Sequence, residues 1–361
     1  MQSNLSSRLA IGVSLILSLW VGACAQHSSR IMADRPYHHL ENGFRNPPNS
    51  PKRGADFSVR FPFFLSMMWR SITGAQPIVP DDHALSPEQV RAGQQQAGDQ
   101  YVTWIGHSTF LVQLNGIRIL TDPIFSKRAS PVRFAGPARH VPPALDLSEM
   151  TDIDVVVVSH SHYDHLDLDT LAQMPNLQRV TLVVPLGIGQ YVRDFGFQKI
   201  VELDWYEQTE IAGVIVKAYP AVHWSNRGLF DINETLWMSY AMSGGGHTVY
   251  HTGDTETHPT LFAEIGADMQ SQFGGCDLGL MSVGAYDPRP MMTGAHMDPE
   301  GGVAMGRDLG CRRMIPMHWG TFTLSLEPFL EPAERFAQAA GASSARLRIG
   351  ETLSLVSSEN P

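Results

Sequence analysis

The stretch Ser159-His160-Ser161-His162-Tyr163-Asp164-His165-Leu166-Asp167 concentrates three histidines and an aspartate that could do metal chemistry. Imidazole and carboxylate are the ligands that borderline cations such as zinc take. His160 and His162, two apart, can point the same way on an extended loop, while Asp164 and His165 turn toward a second position. One short loop can so begin two metal sites. Two metals about 3.5–4 Å apart suit hydrolysis of a phosphoryl or acyl centre. Such a loop needs a rigid base, and Val155-Val156-Val157-Val158 just before it reads as a buried β-branched strand.

Four further positions extend the set, each at the end of an apolar segment or the start of a helix. His223 follows a strand candidate ending at Tyr219-Pro220, and His318 follows Met314-Ile315-Pro316. Asp254, in His251-Thr252-Gly253-Asp254-Thr255, follows Thr248-Val249-Tyr250. Glycine there permits close backbone approach, and a carboxylate can bridge two metals. His296 lies before a helix opened by Asp298-Pro299. Taken singly, His223 and His318 also read as structural histidines, and His296 as a helix-start histidine bonded to backbone.

The elements that must carry these residues alternate between strand and helix. Strand candidates are 101–105, 110–114, 117–120, 153–158, 180–184, 213–219, 236–242, 247–250, 278–283 and 313–317, with a tight Asn115-Gly116 hairpin. Helical patterns fall at 167–174, 187–194, 299–309 and 332–340, and Ser86-Pro87-Glu88-Gln89 opens another. Arg346–Val356 reads as a final strand pair or an extended tail. This order implies an α/β sandwich, two mixed sheets back to back with helices outside. Residues 25–95 read as irregular, with a breaker cluster at Asn46-Pro47-Pro48-Asn49-Ser50-Pro51 and an apolar run from Phe61 to Trp69. That run is expected to pack on the main domain or to touch membrane or acyl chains.

Composition bounds the function. A formal charge of −10, from 36 acidic and 26 basic residues, argues against nucleic acid as a partner. The N-terminus reads as an export signal: Arg8, then an apolar Leu9–Ala23, too short for a membrane span. Val21-Gly22-Ala23-Cys24 resembles a lipobox, making Cys24 a lipidation site and the protein an envelope lipoprotein facing the periplasm. Ala23-Cys24-Ala25 also satisfies a soluble-secretion cleavage pattern. The division expected is a signal at 1–23, an extension at 24–95 and a catalytic domain at 96–361. Cys276 and Cys311 could pair in an oxidising compartment or stay free and buried.

The ordered series resembles the metallo-β-lactamase fold of dinuclear hydrolases, an αββα four-layer sandwich. Within it, the chain is similar to the N-acyl-phosphatidylethanolamine-hydrolysing phospholipase D branch. The similarity runs from about 100 to 332. It is carried by Thr103-Trp104-Ile105-Gly106-His107-Ser108-Thr109, Leu120-Thr121-Asp122-Pro123-Ile124-Phe125 and the histidine loop. Glu202-Leu203-Asp204-Trp205, Gly284-Ala285-Tyr286-Asp287-Pro288-Arg289 and His318-Trp319-Gly320-Thr321-Phe322 complete it. The resemblance implies one metal on His160, His162 and His223, a second on Asp164, His165 and His318, and Asp254 as their bridge. It implies two zinc ions, although the same nitrogen and oxygen set suits iron or manganese. It also implies a phospholipid substrate at a membrane surface and a homodimer.

Cleavage of a phosphodiester expels an alkoxide, so a proton donor helps. His296 is the first candidate and Tyr163, beside the ligands, the second; a packing role for Tyr163 is the alternative. Asp122 is placed to orient a ligand histidine. His107 could reach the site but is expected to make a structural bond to backbone, and His251 is expected to support a ligand or to be buried. His27, His38, His39, His83, His140, His247 and His258 carry no ligand logic. Two other functions use the same residues: a lactonase or other ester hydrolase, and a non-catalytic envelope lipoprotein.

Overall fold

The computed structural model describes residues 35–73 and 76–356. The export segment and Cys24 lie outside the described residues. Fifteen strands are found among the described residues. They are β1 (His39–Leu40), β2 (Gly43–Phe44), β3 (Tyr101–Gly106), β4 (Thr109–Leu114), β5 (Ile117–Thr121), β6 (Val155–Val157), β7 (Thr181–Pro185) and β8 (Lys199–Leu203). The remainder are β9 (Gln208–Ile211), β10 (Val214–Pro220), β11 (Met238–Gly244), β12 (His247–His251), β13 (Cys276–Ser282), β14 (Cys311–Met317) and β15 (Thr352–Ser354). One sheet runs β15-β3-β4-β5-β6-β7-β8 and the other β14-β13-β12-β11-β10-β9.

The two sheets share one core, because the strands at their centres are apolar on both faces. Val155, Val156 and Val157 are completely buried, worth roughly 1.5–3 kcal/mol each. Tyr240 on β11 donates its hydroxyl to the Val158 carbonyl at 2.9 Å, so the ends of β6 and β11 meet across the sandwich. Asn115 and Gly116 both take positive φ, the backbone a two-residue hairpin requires. β5, β6, β7 and β8 pair in parallel, as do β12, β13 and β14, so their carboxyl ends open on one edge. That edge carries every chemical motif identified above.

Eight α-helices occur among the described residues: α1 (Phe57–Thr73), α2 (Pro87–Gln96), α3 (Leu168–Gln173), α4 (Gly189–Val192), α5 (Leu261–Phe273), α6 (Arg289–Met292), α7 (Pro299–Asp308) and α8 (Glu331–Ala340). Ser86 and Gln89 form a capping box on α2, and Asp298 caps α7 by accepting from Gly301 N. α5, α7 and α8 cover the β9–β14 sheet, while α2 and α4 meet the edges of the other at β15 and β8. The architecture is therefore the αββα sandwich expected.

Three parts differ from the sequence reading. Residues 25–95 are not irregular throughout: α1 occupies the apolar run and continues past Pro62. β8 and β9 were not legible because they are the outer strands of their sheets, half-exposed and without a continuous apolar run. α5 was also missed, although Leu261, Phe262, Ile265 and Met269 form its buried face. The C-terminal segment contributes one short strand, β15, paired with β3. Cys276 and Cys311, opposite each other on β13 and β14, are joined as a disulfide.

Candidate metal centre

The loop after β6 is held from behind by a single carboxylate. Asp122 Oδ1 accepts from Ser159 N at 2.6 Å, and Oδ2 accepts from Ser159 Oγ at 2.7 Å and from His165 Nδ1 at 2.8 Å. Asp122 thus orients His165, as its motif suggested. Arg227, which sequence reasoning missed, donates to the carbonyls of Ser161 and Leu166, both at 2.7 Å, and fastens the loop from the other side. Gly253 brings Asp254 close. Its φ is +56°, and a Cβ there would meet Met238 O and Ser159 at 2.7 Å.

Two clusters of ligand atoms result. His160 Nε2 lies 2.8 Å from His162 Nδ1, and His223 Nε2 lies 3.1 Å from the same atom. Asp164 Oδ2 lies 3.0 Å from His318 Nε2 and 3.3 Å from His165 Nε2. One oxygen joins them. Asp254 Oδ2 stands 3.1 Å from both His165 Nε2 and His318 Nε2, and 4.0 Å from both His160 Nε2 and His223 Nε2. Its other oxygen accepts from Ser282 Oγ at 2.8 Å. His160, His165, His223, Asp254 and His318 are buried, so the cluster is shielded from water.

The protons in this cluster show that it fits cations. His165 gives its Nδ1 hydrogen to Asp122 and turns Nε2 toward two carboxylates. Burial opposes charge there, yet Asp254, Asp164 and Asp122 outweigh it and hold the group well above the usual histidine range, so Nε2 is a place for a proton or a cation. His223 Nδ1 faces the Ala295 carbonyl at 2.8 Å, which directs its Nε2 lone pair at His162. His160 Nδ1 faces Ser159 Oγ, whose own hydrogen goes to Asp122, so its Nε2 lone pair also points at His162. Lone pairs that converge in a dry site repel unless a cation sits among them. Burial and the neighbouring imidazoles hold His160 and His223 well below the usual histidine range, the neutral form that metals bind. Burial opposes charge on His318 as well, yet Asp254 and Asp164 outweigh it and raise that group to about 9. Protons and metal therefore compete at His318.

The other candidates divide. His296 has a buried, unpartnered Nδ1 at 3.7 Å from Asp254 Oδ2, so its side chain faces the centre. Its backbone is held separately. Arg289 donates to the His296 carbonyl and to Glu256 Oε2, and Glu256 Oε2 also accepts from Gly294 N. Tyr163 is otherwise engaged: its hydroxyl donates to the Arg227 carbonyl at 2.6 Å, and the Arg227 guanidinium lies over its ring. Its proton is directed away from the ligands, so packing and loop anchorage replace proton donation for this residue. Of the two readings of His107, the structure shows the one that reaches the site: its Nε2 lies 3.0 Å from Asp164 Oδ2, a candidate ligand carboxylate. Burial holds it at about 3, hence neutral and donating.

Asn46 figured in the sequence only as part of a breaker cluster. It grips His223 through both backbone groups: Oδ1 accepts from His223 N at 2.9 Å and Nδ2 donates to His223 O at 2.8 Å. His38 and His39 converge on Asp204, at 2.5 and 2.7 Å, and tie the β1–β2 hairpin to the turn after β8. Asn before proline is a weak turn signal, and adjacent histidines gave no hint of a partner so far along the chain.

Comparison with known proteins gives the family. The Beta-lactamase superfamily domain matches residues 117–319. The chain belongs to the β-lactamase superfamily. The superfamily match spans the loops of every candidate metal ligand. An uncharacterized protein of Mycobacterium tuberculosis is 42% identical over 244 residues, 66% of this chain and 63% of that protein. The chain thus spans less than two thirds of that relative's length. N-acyl-phosphatidylethanolamine-hydrolyzing phospholipase D 1 of Caenorhabditis elegans is 36% identical over 249 residues, 66% of this chain and 69% of that one. A metallo hydrolase from the archaeon Ignicoccus hospitalis shares the fold, with a TM-score of 0.52 and 21% identity over 70% of this chain and 97% of its own.

Proposed function

We propose that the chain is a metal-dependent phosphodiesterase that cleaves N-acyl-phosphatidylethanolamine-type phospholipids into N-acylethanolamine and phosphatidate. One ion would be held by His160, His162 and His223, a second by Asp164, His165 and His318, with Asp254 shared. The observation that carries this reading is the position of Asp254 Oδ2, within 4.0 Å of a ligand nitrogen from each of four histidines. Zinc suits the donor set, as do iron and manganese. Two divalent ions there would polarise a phosphoryl oxygen and lower the pKa of an attacking water toward about 7.

The chain's own residues supply the remainder. Water forms a new bond to phosphorus, the bond from phosphorus to the ethanolamide oxygen breaks, and one proton must reach that oxygen. His296, with its free Nδ1 facing Asp254, is our choice for passing it. Asp122 and Arg227 keep the ligand loop in place while charge develops at phosphorus.

A lipid substrate is supported by α1. Phe57, Phe61, Leu65 and Trp69, spaced by four, are 43–67% exposed, and such residues share one helix face. An apolar stripe of that kind suits the membrane interface. Arg70 on the same helix donates to the Ser325 carbonyl at 2.9 Å and links it to the segment after the His318 motif. Export and anchoring through Cys24 would bring the site to such a surface, and the Cys276–Cys311 disulfide suits an oxidising compartment.

Release of N-acylethanolamine from N-acyl-phosphatidylethanolamine vesicles tests the reading, comparing metal-loaded wild type with Asp254→Asn and assaying metal in both. Product from the wild type, lost in the variant, is expected. Two bound metals without product would sink the lipid assignment and move the search to lactones and smaller diesters.

A further inference from the structure

We propose that Arg53, stacked on Trp224 beside the candidate ligands His162 and His223, is an anion-binding arm that grips the phosphate of the substrate. The proposal rests on the phosphodiester reading above and adds the residue that would select for charge.

The Arg53 guanidinium lies 3.7 Å over the Trp224 ring. Trp224 follows His223 directly, and its ring meets that of His162 edge-on at 4.5 Å. One indole therefore separates the guanidinium from two candidate ligands.

The backbone that carries Arg53 is pinned on several sides. Asn46 grips His223, and His258 Nε2 donates to the Pro48 carbonyl at 2.7 Å. Downstream, Gly294 packs so closely that a Cβ on it would meet Pro51 O and Arg53 N at 2.8 Å. Gly294 is two residues from His296. Arg53 so stands between the His162–Trp224 side of the site and the loop of the candidate proton donor.

Other arginines around the centre are engaged by hydrogen bonds within the protein. Arg227 spends Nη1 on two carbonyls, Arg289 bonds Glu256 and the His296 carbonyl, and Arg139 bonds the carbonyls of Ile124 and Ser126. Arg53 has no hydrogen bond or ion pair among the described residues, and it is exposed. A chain of net charge −10 thus keeps one oriented guanidinium without a carboxylate beside its metal site. Guanidinium offers a planar fork that matches two phosphate oxygens, and stacking on an aromatic face holds that fork ready. The ligand class is a phosphate diester or monoester anion. Neutral lactones and esters offer no charge for it.

The test uses full-length, metal-loaded wild type, Arg53→Ala and Arg53→Lys. Substrates are bis(p-nitrophenyl) phosphate, the neutral ester p-nitrophenyl acetate and N-acyl-phosphatidylethanolamine vesicles, with inorganic phosphate titrated as an anion probe. For Arg53→Ala we expect KM for the diester and the dissociation constant for phosphate to rise at least tenfold. Turnover of the neutral ester should stay within twofold, and Arg53→Lys should recover part of the loss. Equal losses on diester and neutral ester, or unchanged phosphate binding, would overturn the proposal. Wild type that cleaves the soluble diester but not vesicles refutes the lipid reading alone and leaves Arg53 to be judged on the diester. If neither is cleaved, phosphate affinity of wild type against Arg53→Ala decides.

Discussion

Asn46→Ala should weaken metal binding without touching a ligand. Its side chain makes two hydrogen bonds to the backbone of His223, at 2.9 and 2.8 Å, and a third to Trp237 Nε1 at 2.9 Å. Trp237 Nε1 also reaches Ala221 O at 3.0 Å, so it keeps a partner in the variant. His223 does not. Its N–H and carbonyl both lose their Asn46 partner beside a fully buried imidazole. An unsatisfied buried group costs about 1–3 kcal/mol. Asn46 is only half-buried, so water can enter and repair part of the loss, leaving about 2 kcal/mol. That converts to roughly 30-fold in affinity if it falls on the metal-bound arrangement. The assay is chelator competition on metal-loaded protein, with bound metal quantified at each step and folding checked by circular dichroism. Asn46→Asp keeps an acceptor for His223 N but sets a carboxylate oxygen against His223 O, so it should fall at least as far. A folded Asn46→Ala that holds metal within about threefold of wild type would refute the claim that this clamp positions His223.

Other outcomes follow from the same contacts. Asp122→Ala removes three accepted bonds, one from His165, and should lower metal affinity about 10–100-fold in the same competition assay; unchanged affinity would mean that His165 holds its orientation unaided. The Cys276–Cys311 link closes a loop with a separation of 35 residues, so the double serine variant should lose about 4 kcal/mol in denaturant unfolding. A loss below about 1 kcal/mol would place the constraint elsewhere. Burial pushes the Asp204 carboxyl up, but hydrogen bonds from His38 and His39 outweigh it and hold the group below the usual range. A depressed carboxylate stabilises above its unfolded pKa, and that stability is lost as pH falls through the folded value. Asp204→Asn should therefore cost about 1 kcal/mol near neutrality, after allowing for exposure, and flatten the decline below about pH 4. Coincident acid limbs for the two proteins would remove the His38–His39–Asp204 tie from the account.

What the sequence determined by itself is local. His160, His162, Asp164 and His165 lie within six residues on a loop fixed by a buried valine strand, so their spacing alone dictates which of them can converge. Asp254, His223 and His318 could be found because each lies within three residues of the end of a strand, and the parallel β12, β13 and β14 deliver their carboxyl ends to one edge. Tertiary structure decided what depends on distance along the chain. Arg53 meets Trp224, Asn46 meets His223 and His38 meets Asp204 across more than 160 residues, and nothing in their local composition names the partner. Tyr163 shows the converse. It sits within the ligand motif, yet the arrival of Arg227 takes its hydroxyl. Periodicity and turn chemistry act over a few residues, so they place a side chain on an element; which group occupies the space in front of it depends on how the two sheets and the N-terminal segment pack.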